Sequence, residues 1–180
     1  MKIKKKFKVA ILDRDGVLNF AKKNNGYIGF KKDFKWIPGA KKTIKYLNDN
    51  NYKVAVVTNQ SGVARKFFKF RDVIRLHQFM NIQLKKISAK IDKFYFCPHH
   101  EDALDNNFRM KCICRKPNNG NFLKLKKKWN LEIKNCFMVG DQKTDILFAK
   151  KSKIKGYLFK GGNLFNFVKK KIKINLSKSQ

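Results

Sequence analysis

The chain has no apolar run approaching the roughly 18 residues a helical membrane crossing requires, no internal repeat and no linker-like stretch. These absences exclude a helical membrane span, a repeat array and a string of tethered domains. Acidic residues are few: 12 Asp and Glu stand against 44 Lys and Arg in 180 residues, for a net charge of +32. Among the basic residues arginine is scarce, and lysine is scattered over the full length. A base-reading surface favours arginine in a clustered patch, so nucleic acid is not the expected partner. The abundance of Lys, Asn, Ile and Phe, which share AT-rich codons, points to compositional drift instead. One local exception is "ARKFFKFR", Ala64 to Arg71, where bases could stack on phenylalanines. The positive field as a whole would still draw in an anionic substrate. The basic opening "MKIKKKFKVAILD" has too short an apolar part for a signal peptide and no cleavage-like site before its aspartate. A cytoplasmic protein is therefore expected.

What is present is enough for one domain over residues 1–180: hydrophobic residues make up 43%, ordinary for a globular chain. The run Val9-Ala10-Ile11-Leu12 shows no polar alternation, as in a strand covered on both faces. Helical spacing of Ala40, Ile44 and Leu47 after Pro38-Gly39 predicts a helix to about Asn50. "YKVAVVTNQSG" predicts a second buried strand. A helix from about Arg71 to Ser88 follows, with Val73, Leu76, Met80, Leu84 and Ile87 as its apolar stripe. "KFYFC", "CFMVGD" and "KGYLF" read as three more strands, with helices predicted from about Gly120 to Trp129 and from Thr144 to Lys151. The segment from Gly161 reads as a short helix or strand, with a lysine-rich tail at about 169–180. Strands alternating with helices predict an α/β fold: a parallel central sheet with helices on both faces. Ligands of such sheets sit beyond the carboxyl ends of the strands.

Chemistry-bearing residues fall at those ends. Asp13 and Asp15 follow the first strand; by strand alternation they share a face while Arg14 points away, and Gly16 permits a sharp turn. Two carboxylates so close call for a hard cation such as magnesium, with one acid as nucleophile and the other as acid/base. After the second strand, the Thr58 hydroxyl and the Asn59 amide suit phosphate oxygens. In "CRKP", Lys116 can neutralise a transferring phosphoryl group and Arg115 can hold a second anion by a forked contact. In "MVGDQKTD", Asp141 can complete a cation's oxygen shell, and Asp145 either ligates through water or holds Lys116. Cys97-x-His99 and Cys112-x-Cys114 supply the three thiolates and one imidazole of a closed, structural zinc site. That site would fix the long irregular stretch at about 97–116. His100 is the poorer ligand candidate, and Cys136 reads as core.

"DRDGVLN", "TNQSG", "CRKP" and "GDQKTD" resemble, in order, the four signature motifs of the haloacid dehalogenase-like (HAD-like) phosphatases. The zinc-loop pattern narrows the resemblance to the branch of the D-glycero-D-manno-heptose 1,7-bisphosphate phosphatases and histidinol phosphatases. Within it, "NNGYI", "NQSGVAR" and the long gap between His99 and Cys112 look like the heptose enzymes. The resemblance implies a Rossmann-like single domain with a zinc-bound loop insertion and no large cap domain. It implies that Asp13 attacks phosphorus, that Asp15 acts as acid and then base, and that magnesium binds Asp13, the Asp15 backbone carbonyl and Asp141. Thr58 and Lys116 would stabilise the phosphoryl group. Asn24, Asn25, Gly26, Tyr27, Asn59, Arg115 and Gln142 would contact the rest of a small phosphorylated sugar. The C7 phosphate leaves and the C1 phosphate stays, on the way to nucleotide-activated heptose for lipopolysaccharide or surface layers; a monomer is expected.

Two positions depart from the family pattern: Gln142 stands where relatives commonly carry Lys or Arg, and Lys66 where they often have Gly. Gln142 bears on the second phosphate, hence on substrate rather than chemistry. The rival readings are a histidinol-phosphate phosphatase, a nucleic-acid 3′-phosphatase and a zinc-bearing polyanion-binding module without catalysis.

Overall fold

The structure, a computed structural model, describes residues 5–22 and 26–172. A parallel five-stranded sheet runs in the order β3-β2-β1-β4-β5, from β1 (Lys8–Leu12), β2 (Tyr52–Asn59), β3 (Lys93–Cys97), β4 (Phe137–Gly140) and β5 (Lys155–Leu158). The helices are α1 (Ala40–Asp49), α2 (Phe70–Lys85), α3 (Gly120–Lys128), α4 (Lys143–Lys151) and α5 (Leu164–Lys171).

The central strand explains why both faces must be covered. Ala10 and Leu12 point to one side and join Ile44 and Leu47 of α1, Met80 and Leu84 of α2, and Leu164 and Val168 of α5. Val9 and Ile11 point to the other side, among Phe122 and Leu125 of α3 and Phe148 of α4. The side chains of Val9, Ala10, Ile11 and Leu12 are fully buried, and the three larger ones each contribute up to about 2 kcal/mol of hydrophobic stabilisation. Polar caps set the helix ends. The Asn50 side chain donates to the Tyr46 carbonyl at the end of α1 (2.7 Å), and Asn51 takes the left-handed turn after it at φ 61°. Asn163 Oδ1 accepts from the Phe165 and Asn166 amides at the start of α5.

Differences from expectation lie at element ends. Helix α2 stops at Lys85, so Ile87 falls outside it and is exposed rather than part of the stripe; the buried His77 takes a place on that face instead. The chain from Gly161 resolves into α5, and the part of the lysine-rich tail beyond Ile172 lies outside the described residues. Among the described residues, no helix is long and apolar enough to cross a membrane.

Candidate active site and thiolate cluster

The strand order reverses direction between β1 and β4, the place where an open parallel sheet leaves a crevice. The Asp13 amide donates to the Val139 carbonyl (2.9 Å), which sets the end of β1 beside the end of β4. A pocket of about 680 Å³ opens there, and Asp13, Asp15, Thr58, Asn59, Arg115, Lys116, Asp141 and Gln142 all line it. Gly26 and Tyr27 line it from the opposite loop, while Asn24 and Asn25 lie outside the described residues. A larger cavity of about 1110 Å³ opens at the amino ends of the strands, lined by lysines such as Lys8 and Lys53, with no metal-ligating cluster among the described residues.

Carboxylate oxygens of Asp13, Asp141 and Asp145 lie within 4.8 Å of one another. Into this group reaches the buried Lys116, its Nζ 3.0 Å from Asp13 Oδ1 and 2.5 Å from Asp145 Oδ1. Three carboxylates facing one lysine leave two negative charges uncompensated in a desolvated pocket. Burial, with Asp145 and Asp15 adding to it and Lys116 opposing, pushes Asp13 up to about 7. Burial also raises Asp141, with Asp145 adding to the shift and the Gln142 hydrogen bond opposing it. Asp141 Oδ1 is buried with no hydrogen-bond partner among the described residues. An all-oxygen donor set with a charge deficit of two and an unfilled acceptor fits a divalent hard cation such as magnesium.

Several neighbours hold this group in place. Asp145 Oδ2 accepts from the Gln142 amide (3.0 Å), so this aspartate caps α4 with one oxygen and meets Lys116 with the other. The Asn59 side chain donates to the Lys116 carbonyl (3.1 Å) and accepts from the Lys116 amide (3.0 Å), which fixes the loop carrying the lysine. Gln142 turns its amide onto Asp141 Oδ2 (2.8 Å). Gly16 has φ +82°, and a Cβ there would stand 2.3 Å from Asp141 Oδ2. Glycine is therefore required both for the turn and for the approach of Asp141.

Strand geometry ends at Leu12, and the chain then wraps into a tight turn in which the Leu18 and Asn19 amides both donate to the Arg14 carbonyl. Asp13 and Asp15 both line the pocket and Arg14 does not, as alternation suggests; the Arg14 side chain is fully buried and folds back against Asp15. The Asp15 carboxylate stands outside the three-carboxylate group. It accepts from Arg14 Nε and Nη2, from Asn19 Nδ2 (2.8 Å) and from Gln60 Nε2 (2.8 Å). Gln60 also donates to the Thr58 hydroxyl (3.0 Å).

Arg65 lines the pocket too, with its Nε buried and without a partner among the described residues. Sequence reasoning assigned no role to Arg65 or to the buried Gln60. Both lie inside "TNQSGVAR", but nothing in a linear reading separates an arginine on the pocket wall from one on the surface.

At the end of β3 a second cluster forms. Cys97 Sγ lies 3.4 Å from Cys112 Sγ and 3.7 Å from His99 Nδ1, and Cys114 Sγ lies 3.3 Å from Cys112 Sγ and 3.4 Å from His99 Nδ1. All four cysteines of the chain are free thiols. Thiolates bound at 2.3 Å to a common tetrahedral ion lie about 3.7 Å apart, so the spacing and donor set fit zinc with no open position. The neighbouring Cys97 thiol, acting against burial, pushes Cys114 down to about 5, while the same contact together with burial raises Cys97, so the two share one thiolate between them. His100 stays outside the cluster, its Nδ1 accepting from the Asp102 amide (3.1 Å). Cys136 is buried in the core.

A parallel sheet with its acidic group at the switch point, and a thiolate-bearing loop beside it, define a HAD-like phosphatase. The polynucleotide kinase 3 phosphatase family matches residues 8–160, and the chain belongs to that family. It is 41% identical over 160 residues to the D-glycero-beta-D-manno-heptose-1,7-bisphosphate 7-phosphatase of Rhodopseudomonas palustris, covering 89% of this chain and 87% of that protein. It is 38% identical over 141 residues to the D-glycero-alpha-D-manno-heptose-1,7-bisphosphate 7-phosphatase of Campylobacter jejuni, covering 78% and 75%. Among solved structures, D,D-heptose 1,7-bisphosphate phosphatase from B. bronchiseptica, complexed with magnesium and phosphate, matches with a TM-score of 0.76. That match has 27% identity and covers 91% of this chain and 87% of that one.

Proposed function

We propose that this chain is a magnesium-dependent phosphatase that removes the C7 phosphate of D-glycero-D-manno-heptose 1,7-bisphosphate, as part of cytoplasmic ADP- or GDP-heptose synthesis. The observation that carries the chemistry is the meeting of Asp13, Asp141, Asp145 and Lys116 in one desolvated pocket. The relatives' names carry the substrate.

Asp13 is the nucleophile. The amide of Arg14 donates to its Oδ1 (2.7 Å), and Lys116 sits on that oxygen too. Its Oδ2 takes no hydrogen bond among the described residues and is the oxygen that attacks phosphorus. As the new O–P bond forms, the bond from phosphorus to the C7 oxygen breaks, and that oxygen takes a proton from the Asp15 carboxyl. Water then attacks the aspartyl-phosphate and gives its proton to Asp15, releasing inorganic phosphate and restoring the Asp13 carboxylate. Thr58 and Lys116 bear on the phosphoryl oxygens, where positive charge and donors count most in a site with little water. Asp13, Asp141 and the Asp15 backbone carbonyl would hold magnesium, with Asp145 kept for Lys116. Magnesium, when bound, supplies charge that offsets the repulsion between the carboxylates and the phosphate. Zinc, held by Cys97, His99, Cys112 and Cys114, would shape the loop that carries Arg115 and Lys116. Arg65, Arg115, Gly26 and Tyr27 bound the space left for the sugar and its second phosphate.

The test is a panel of phosphate esters with free-phosphate detection. Both anomers of heptose 1,7-bisphosphate should be turned over in preference to histidinol phosphate and to 3′-phosphorylated oligonucleotides. Preference for either of the latter would overturn the substrate assignment while leaving the phosphatase chemistry in place.

A further inference from the structure

Arg14 is the largest fully buried side chain among the described residues, and burying a guanidinium is costly unless its donors are matched; here Nε and Nη2 find partners, while Nη1 has none among the described residues. Its Nε and Nη2 both go to Asp15 Oδ1 (3.2 and 3.1 Å), and Nη2 also reaches Asp15 Oδ2 (2.9 Å). Nη2 further donates to the Ile28 carbonyl and to Gln60 Oε1 (3.0 Å). Gln60 is itself buried and returns its amide to Asp15 Oδ2 (2.8 Å) and to the Thr58 hydroxyl (3.0 Å). The three side chains thus close a ring, Arg14 to Gln60, Gln60 to Asp15 and Asp15 to Arg14, and Gln60 ties the ring to Thr58. Neither Arg14 nor Gln60 lines the pocket, whereas Asp15 does. Holding this ring together requires a buried charge, which a scaffold role alone would fill more cheaply with apolar side chains.

We infer that Arg14 and Gln60 are positioning residues which aim the Asp15 carboxyl at the leaving-group oxygen. The inference rests on Asp15 as the proton donor proposed above. It predicts an effect confined to substrates whose leaving group needs a proton. An alkoxide leaving from a sugar carbon needs one, and p-nitrophenolate does not. A carboxyl misaimed by about 1 Å would slow the first kind of reaction about a hundredfold and leave the second nearly untouched.

The experiment compares wild type with Arg14→Lys, which keeps the charge but loses the fork, and with Gln60→Leu, which removes both amide contacts. Single-turnover release of the sugar is measured beside the first-turnover burst of p-nitrophenol from p-nitrophenyl phosphate, which excludes the later water step. Each variant should lose about a hundredfold in the sugar phosphate rate with KM within about threefold, while the p-nitrophenol burst falls no more than a few-fold. Equal losses on both substrates, or no loss on the sugar phosphate, would overturn the inference. If Arg14→Lys fails to fold by circular dichroism, Gln60→Leu decides alone. If wild type proves inactive on heptose bisphosphate, the substrate reading fails by itself, and the comparison is run on whichever alkyl phosphate the wild type does hydrolyse.

Discussion

Replacing Gly16 by alanine tests how tightly the turn after β1 is matched to the metal-facing carboxylate. Two costs are expected, and the structure separates them. Gly16 has φ +82°, where an L side chain costs about 1–2 kcal/mol, partly offset by the stiffer unfolded chain. Its new Cβ would also stand 2.3 Å from Asp141 Oδ2 and 2.5 Å from Asp141 Cγ, so the carboxylate must retreat by about 1 Å to reach ordinary contact. Gly161 supplies the control: φ is +95°, yet nothing lies within 4 Å of its Cβ position. Both alanine variants should lose about 1 kcal/mol, or about 2–4 °C in Tm. Only Gly16→Ala should weaken magnesium binding and lower kcat, about a hundredfold for a displacement of that size. The assays are thermal unfolding, magnesium titration and steady-state phosphate release. A Gly16→Ala protein with wild-type kcat and magnesium affinity would refute the idea that Asp141 must stand where it does.

Other consequences can be checked separately. Elemental analysis should give about one zinc per chain, and Cys112→Ala should lose it together with much of the protein's thermal stability. A Cys112→Ala protein that keeps its zinc would reject the ligand set. Since Asp13 sits at about 7 without metal, magnesium binding must release a proton below that pH. Its apparent affinity should fall about tenfold from pH 8 to pH 6, and a flat profile by calorimetry would contradict the shift. Lys66 has φ 59°, a left-handed conformation that favours glycine, so Lys66→Gly should hold stability level or raise it by up to about 1 kcal/mol in denaturant unfolding.

Much of the fold was legible because burial leaves a simple trace in a chain this polar. The unbroken run from Val9 to Leu12 is what a strand with helices on both faces requires, and the helical periods of α1 and α2 stand out against the lysines. Asp13 and Asp141 follow their strands, while Thr58 and Asn59 are the last two residues of β2 rather than following it; all meet because parallel strands present their carboxyl ends together. Alternation put Arg14 off the pocket, but its fork onto Asp15 depends on the turn after β1, where no fixed period applies. Ile87 was misplaced for a related reason: helix ends are set by local hydrogen bonds, and an apolar residue one turn too late still fits the pattern. The ring of Arg14, Gln60 and Asp15 is a contact between a turn after β1 and a loop after β2. Only the folded chain brings it together. The departure at Lys66 gained its meaning from a backbone angle that no composition reveals.

The proposed reaction passes through a covalent bond between phosphate and Asp13. Protein incubated with magnesium and heptose bisphosphate labelled at the C7 phosphate, then quenched in acid, should carry label on a single peptide. Borohydride reduction should convert its Asp13 to homoserine. Full turnover with no trapped label, or label on any other residue, would contradict it.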